Sequence, residues 1–347
     1  MIILNILLLI LGFVLLIKGA DIFVDGASST ASNFRVPKIL IGLTIVAFGT
    51  SAPEFAVSVS ALASGSTDMV LGNVIGSCIL NILLILGVAA VIKPIKIREN
   101  TIRKELPLCL LISTLLVVLF LDRSLAGGSV NEITREDAIV ILMFFAIFLY
   151  YLVALARRGN EQEVKAKNAN NKKLNKAAKA GEKSVKAVAE EKPKFTLGKS
   201  ILLVGVGLAG IVIGSQLVVD NATMIAGMLK LSERVISLTV IAFGTSLPEL
   251  VTTVMAARKG EPDLAVGNII GSNIFNICVV LGVPVAIFGT VTPTSFEMID
   301  VVMLIAASVI FFVFAKTAKR ITRLEGVMML LLFTAYYGFL MVQSFAG

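Results

Sequence analysis

The chain has 347 residues, of which 57% are hydrophobic, and a formal net charge of +8. Soluble domains are about 45–50% apolar even when glycine is counted, so this composition excludes an ordinary soluble enzyme and predicts a polytopic membrane protein. The positive charge does not indicate nucleic-acid binding, because the basic residues lie in short loops between apolar stretches. The sequence contains no histidine, which removes imidazole metal sites and Ser-His catalysis.

Ten stretches are apolar and long enough to cross a membrane as a helix, which takes about 20 residues. The first has no basic segment before it and continues into helix-compatible sequence, so we interpret it as a retained span and not as a signal peptide. The sequence therefore predicts an all-α polytopic membrane protein with ten transmembrane helices. The predicted spans are residues 2–24, 37–62, 69–92, 106–122, 134–156, 199–228, 235–257, 264–288, 298–316 and 325–345.

Loop charge predicts the orientation of these spans. Five alternate loops hold 26 of the 31 Lys and Arg residues. Basic loops stay on the cytoplasmic side, so we expect a multi-pass protein of the plasma or inner membrane with both termini outside the cytoplasm. The surrounding partner is the lipid bilayer, and no obligate protein partner is indicated.

The longest basic loop divides the chain into two halves, residues 1–156 and 199–347. Between them, residues 157–198 are rich in Lys, Ala, Asn and Glu and have little to bury, which predicts a flexible cytoplasmic linker. A regulatory or lipid-binding basic segment is the alternative for this stretch.

The two halves repeat each other at an offset of 195 positions. Residues 45–54 match residues 240–249 at seven of ten positions, and residues 71–82 match residues 266–277 at eight of twelve. Each half has five spans, an odd number, so the second half must enter the membrane from the opposite side. The sequence thus predicts two inverted five-helix repeats, an arrangement in which transporters bind substrate near the middle of the membrane.

The first repeated motif places several oxygen atoms on one side of a helix. Its residues at i, i+3, i+4 and i+7 share a face, and Pro53 removes a backbone donor and thereby frees a carbonyl. Hydroxyls, carbonyls and a carboxylate suit hard cations such as Ca²⁺ or Na⁺. This face is Ala47, Thr50, Ser51 and Glu54 in the first copy and Ala242, Thr245, Ser246 and Glu249 in the second.

The second motif adds neutral oxygens at i, i+4 spacing, as Ser77 with Asn81 and Ser272 with Asn276. Paired glycines in both copies predict close helix contacts. A carboxylate in a membrane span is costly and is usually functional. Lys18 is the only basic residue away from the ends of the predicted spans, since the others within them are the terminal Lys38, Arg135, Lys199 and Lys316. A cation held between Glu54 and Glu249 is therefore the expected partner.

Other polar and reactive residues are left outside this site. Asp25 and Asp220 lie near span ends, where they can face water. Three cysteines lie in apolar runs without metal-ligand spacing, and we expect them to be buried as small hydrophobic residues. They are Cys78, Cys109 and Cys278.

These motifs carry a family resemblance over essentially the whole chain. GTSAPE and GTSLPE, followed by GNVIGSCILN and GNIIGSNIFN, resemble the two alpha-repeats of the sodium/calcium exchangers in the cation/calcium antiporter superfamily. The resemblance implies a prokaryotic member that exchanges Na⁺ for Ca²⁺, with three Na⁺ per Ca²⁺, and that requires no cofactor.

The resemblance also implies which residues bind each ion. Ca²⁺ would lie between Glu54 and Glu249, with the backbone carbonyls of Thr50 and Thr245. One Na⁺ site would comprise the Ala47 carbonyl, Thr50, Ser51, Glu54 and Ser272. Its mirror would comprise the Ala242 carbonyl, Thr245, Ser246, Glu249 and Ser77, with Asn81 and Asn276 at the centre.

Several alternatives remain at this stage. Some relatives, potassium-dependent exchangers among them, carry Asp at the place of Asn276, so asparagine disfavours K⁺ co-transport. The GTS-x-PE pattern favours Na⁺ as the driving ion, with Ca²⁺/H⁺ antiport through protonation of the two glutamates as the alternative. A cation channel is less consistent with two inverted halves around one site. No catalytic set is recognisable, so an enzyme is not expected.

Overall fold

Helices form nearly all of the chain that the structure, a computed structural model, describes: residues 2–125, 131–179, 193–228, 242–293 and 298–346. Two short strands, β1 (Ile95–Lys96) and β2 (Arg320–Ile321), pair antiparallel between the halves. The helices are α1 (Ile2–Phe34), α2 (Lys38–Thr50), α3 (Ala52–Ala63), α4 (Thr67–Ile92), α5 (Leu106–Leu125), α6 (Arg135–Lys179), α7 (Leu197–Met228), α8 (Ala242–Thr245), α9 (Leu247–Lys259), α10 (Pro262–Phe288), α11 (Met298–Ala318) and α12 (Arg323–Ala346).

The predicted polytopic membrane architecture is confirmed. Within the described ranges, eight helices are long and apolar enough to span a membrane, and α2 with α3 forms a ninth span bent by 46°. The seventh predicted span, residues 235–257, is described only from its eighth residue onward. There α8 and α9 repeat the broken arrangement of α2 and α3, while residues 235–241 lie outside the described residues.

Two helices extend beyond their predicted ends. The first span was predicted to end at residue 24, but α1 continues to Phe34 because its later turns remain packed against α7, where Ala27 and Ala31 are fully buried. Likewise, α6 continues past residue 156 to Lys179, so the first part of the predicted linker is helical. Lys, Ala and Glu favour helix, which accounts for this extension. Residues 180–192 lie outside the described residues.

The centre of the protein is formed by α4 and α10. In the most apolar part of α4, 72% of the residues are buried, and in that of α10, 78% are buried. The corresponding share is 22% in α1, α6 and α12. Each central helix widens into a π turn at the same place in its repeat, Asn81–Leu86 and Asn276–Leu281. Such turns often mark functional sites in helices, and here each begins at a predicted site asparagine.

Glycines allow helix backbones to touch at two interfaces. A Cβ atom on Gly207 of α7 would lie 2.6 Å from the backbone nitrogen of Phe23 in α1, and one on Gly267 of α10 would lie 2.9 Å from the Cα of Gly42 in α2. The predicted close contact is thus confirmed for the α10 glycines. A Cβ on Gly72 or Gly76 of α4 would meet no atom of the described residues.

Charged residues form a cluster where α1 meets the end of α9. Lys259 pairs with Asp21 at 2.8 Å and with Asp25 at 2.9 Å. Lys38 pairs with Glu261 at 3.0 Å. Asp25 therefore belongs to this partly exposed cluster, which agrees with its exclusion from the predicted site. The three cysteines are free and buried, as predicted.

Candidate functional site

Each predicted glutamate lies just after a break between two helices. Glu54 is in the first turn of α3 and Glu249 is in the first turn of α9. The residues at the breaks, Ser51 and Ser246, leave helical geometry with ψ values of 9° and 5°. Proline fits the second position of each new helix because no backbone donor is needed there. The start of a helix favours negative charge, so both breaks suit a carboxylate.

Reciprocal hydrogen bonds join the two motifs. Ser51 Oγ donates to Glu249 Oε1 at 2.7 Å, and Ser246 Oγ donates to Glu54 Oε1 at 3.2 Å. Both glutamates are only 1% exposed. Residues 195 positions apart therefore make equivalent contacts in opposite directions, which brings the two predicted half-sites to one place.

Several buried atoms of the predicted site have no hydrogen-bond partner within the described part of the chain. A buried polar atom without a partner is costly, so a group of them indicates a ligand-binding centre. Three further atoms of this kind belong to Glu105, Thr223 and Thr252. Those at the predicted site are Glu54 Oε2, Glu249 Oε2, Ser272 Oγ, Asn81 Oδ1, and Asn276 Oδ1 and Nδ2.

The central helices carry the remaining predicted ligands. Ser77, Asn81, Ser272 and Asn276 are all buried in α4 or α10. The π turn that starts at Asn276 packs against α3, and the one that starts at Asn81 packs against α9. Each central helix thus brings its asparagine to the helix that carries the glutamate of the other repeat.

Ala47 and Thr50 already have protein partners. The Ala47 carbonyl accepts the Ser51 amide at 3.0 Å and the Thr50 hydroxyl at 3.4 Å. Thr50 Oγ1 also donates to Asn268 Oδ1 at 3.2 Å. An ion bound here would compete with these bonds, whereas the carboxylates have oxygen atoms to spare. In the second repeat, Ala242 and Thr245 are the ends of α8.

Three asparagines of the second motif support the site, although they were not predicted to belong to it. Asn73 Nδ2 donates to the Glu54 carbonyl at 2.9 Å and thereby anchors the start of α3. Asn268 accepts from Thr50 and donates to Thr253. Asn73 and Asn268 occupy matching positions of the repeat, a signal that could have identified them. Asn273 bonds to Asn81, but its counterpart is Cys78, so the repeat gave no such signal.

The charge of the centre comes from the two glutamates. When both are ionised they repel one another, and no lysine or arginine in the described ranges forms an ion pair with either. Within the same ranges, no cluster of three or more His, Cys, Asp or Glu residues could hold a metal. Two carboxylates among neutral oxygens therefore offer two negative charges, which one divalent cation balances.

Comparison with known proteins places both halves in one family. The family described as "Sodium/calcium exchanger protein" matches residues 4–154 and 199–342. The chain is 37% identical to the inner membrane protein YrbG of Escherichia coli, over 88% of this chain and 86% of YrbG. It is 33% identical to the sodium/calcium exchanger MaX1 of Methanosarcina acetivorans, over 97% of this chain and 98% of MaX1. The solved structure of the sodium-calcium exchanger NCX_Mj superimposes with a TM-score of 0.77 at 31% identity, covering 96% of this chain and 98% of NCX_Mj.

Proposed function

Because this chain belongs to the sodium/calcium exchanger family, we propose that it is a secondary active antiporter that exchanges Na⁺ for Ca²⁺ across the membrane. The exchange takes place by alternating access to one site between Glu54 and Glu249. The family is one of transporters, and neither a chemical reaction nor a cofactor enters the proposal.

The reciprocal pairing of the two glutamates carries this proposal. Each carboxylate uses Oε1 to accept from the serine of the other repeat, and its Oε2 has no hydrogen-bond partner among the described residues. An ionised carboxylate deep in a membrane protein requires a compensating charge. A cation between the two Oε2 atoms supplies it, and its departure leaves two repelling charges that further cations must neutralise. This requirement couples the exit of one ion to the entry of another.

The ligand sets follow the two repeats. Ca²⁺ binds between Glu54 and Glu249 with the carbonyls of Thr50 and Thr245. Ser272 Oγ and both amide atoms of Asn276 have no hydrogen-bond partner within the described ranges, which supports their assignment as ligands. One Na⁺ site comprises Ala47, Thr50, Ser51, Glu54 and Ser272. The other comprises Ala242, Thr245, Ser246, Glu249 and Ser77, with Asn81 and Asn276 at the centre.

The repeats are inverted in the membrane. The reciprocal contacts at an offset of 195 positions support two copies related by a two-fold axis, and with five spans per copy that axis would lie in the membrane plane. The basic loops are cytoplasmic and both termini are outside. The segment from 157 to 198 connects the two halves on the cytoplasmic side.

Cysteine labelling tests this orientation. We expect Ser64→Cys, in the exposed turn after α3, to react with an impermeant maleimide on intact cells. Lys316→Cys, near the end of α11, should react only after the cells are permeabilised. The wild-type protein is the control, because its three thiols are buried. Labelling of Lys316→Cys from outside would overturn the proposed orientation.

Ca²⁺ uptake into proteoliposomes tests the driving ion. Liposomes loaded with Na⁺ and diluted into Na⁺-free medium should accumulate Ca²⁺, whereas liposomes with a pH gradient and no Na⁺ should not. Protein-free liposomes give the background. Uptake that follows the pH gradient and ignores Na⁺ would favour Ca²⁺/H⁺ antiport at the same glutamates.

A further inference from the structure

An amide in the protein core lies next to the proposed cation site without belonging to it. On the basis of the proposed exchange function, we propose that Asn273 is a positioning residue that turns the amide oxygen of Asn81 toward the bound ions. Asn273 is fully buried in α10, three residues before Asn276. Its side chain makes two hydrogen bonds, both to the first repeat.

The two bonds form a chain that starts at a backbone carbonyl. Asn273 Nδ2 donates to the Cys78 carbonyl at 3.3 Å, and Asn81 Nδ2 donates to Asn273 Oδ1 at 3.0 Å. A backbone carbonyl can only accept, so Asn273 must direct its NH₂ group to Cys78 and its oxygen to Asn81. Asn81 must then donate its own NH₂ group to the Asn273 oxygen. The Cys78 carbonyl therefore determines the orientation of both amides, so the positions of their oxygen and nitrogen atoms are not ambiguous.

These two hydrogen bonds leave the amide oxygen of Asn81 available to an ion. Asn81 is 1% exposed, and its Oδ1 has no hydrogen-bond partner within the described ranges. An amide that is free to turn offers a cation its oxygen in one orientation and its NH₂ group, which repels the cation, in the other. Asn273 excludes the second orientation before the ion arrives. Such preorganisation increases affinity because the ion does not have to order its ligand.

Asn276 has no equivalent positioning residue in the first repeat. The residue that corresponds to Asn273 in the first repeat is Cys78. Its Sγ lies 3.8 Å from the Asn273 carbonyl and offers no amide to Asn276. Neither amide atom of Asn276 has a hydrogen-bond partner in the described part of the chain. The centre is therefore asymmetric, with a fixed oxygen at Asn81 and an amide at Asn276 that is free to turn.

The test is a double-mutant cycle between Asn273 and Asn81. We expect Asn273→Ala to raise the Ca²⁺ concentration for half-maximal Na⁺-dependent uptake about five- to tenfold, the effect of one buried hydrogen bond. The maximal rate should change less. In an Asn81→Ala background, Asn273→Ala should have no further effect, because the amide that it orients is gone. Asn273→Cys, which copies the first repeat and leaves a smaller gap than alanine, should behave like Asn273→Ala.

The controls separate positioning from stability. Asn221→Ala removes a buried asparagine whose amide donates to the Leu217 carbonyl within α7 at 2.8 Å, and it should leave the half-maximal concentration unchanged. Thermal unfolding of each variant checks folding. An equal effect of Asn273→Ala with and without Asn81, or no effect in an actively transporting protein, would overturn the positioning role. Absence of Na⁺-dependent uptake in the wild type would instead overturn the proposed function.

Discussion

Glu54→Gln and Glu249→Gln are each expected to abolish Ca²⁺ transport in a protein that still folds. Glutamine keeps the size of the side chain, so the packing around α3 and α9 is retained. It removes one of the two charges that balance a divalent ion where screening by water is weak. Removal of one partner from a buried ionic pair costs about 3–5 kcal/mol, which corresponds to a loss in Ca²⁺ affinity of about 100-fold or more.

The measurement is Na⁺-driven uptake of radioactive Ca²⁺ into proteoliposomes, with thermal unfolding to check folding. Glu105→Gln is the matched control. Glu105 is also a buried glutamate, 2% exposed, but its carboxylate accepts a hydrogen bond from Tyr151, which is not a residue of the proposed site. Ca²⁺ flux should persist in this variant. Near-normal flux in either site variant would refute a Ca²⁺ site shared by both repeats.

The paired glutamates could be predicted from the sequence because they recur in both halves and because a carboxylate in a membrane span is energetically costly. Apolar stretches define the membrane spans, and a carboxylate within such a span indicates a functional role. When the same Gly, Thr, Ser, Pro and Glu recur 195 residues later, chance is a poor explanation. The bonds from Ser51 to Glu249 and from Ser246 to Glu54 are the contacts that such a repeat implies once its halves face each other.

Hydropathy was a poorer guide to helix ends. Since apolar length marks only the part of a helix in lipid, it could not reveal that α1 continues to Phe34 or α6 to Lys179. Beyond the apolar part, helix continuation depends on packing against neighbouring helices and on residues with high helix propensity. These features leave no hydropathy signal.

The supporting asparagines show a second limit of sequence patterns. An asparagine in a membrane helix commonly links helices, so type and spacing do not separate a ligand from a residue that orients a ligand. Asn273 can be distinguished only by its neighbours, the Cys78 carbonyl and the Asn81 amide, which lie more than 190 positions away in the chain. Its difference from Cys78 breaks the repeat, and a search for repeated residues passes over it.

Exchange is expected to be electrogenic, and its equilibrium should respond strongly to voltage. The centre offers two negative charges, which one Ca²⁺ balances. In the proposed site, the hydroxyls of Thr50 and Ser51 in one repeat, and of Thr245 and Ser246 in the other, would supply oxygen for separate monovalent ions around that centre. Three Na⁺ per Ca²⁺, the ratio implied by the family, moves one net charge in each cycle. One charge across 100 mV is worth about 2.3 kcal/mol, which shifts the equilibrium nearly fifty-fold.

A potential that is negative inside should therefore favour Ca²⁺ extrusion. The measurement is the equilibrium Ca²⁺ gradient in Na⁺-loaded proteoliposomes whose potential is clamped with valinomycin and K⁺ gradients. Asparagine at position 276 leaves no third carboxylate at the centre for an additional K⁺, and a separate uptake assay with radioactive rubidium checks that K⁺ is not carried. The Ca²⁺ gradient should change nearly fifty-fold for each 100 mV imposed. A gradient that does not change with the imposed potential would mean that two Na⁺ exchange for one Ca²⁺. The proposed centre would then not bind a third Na⁺ together with the other two.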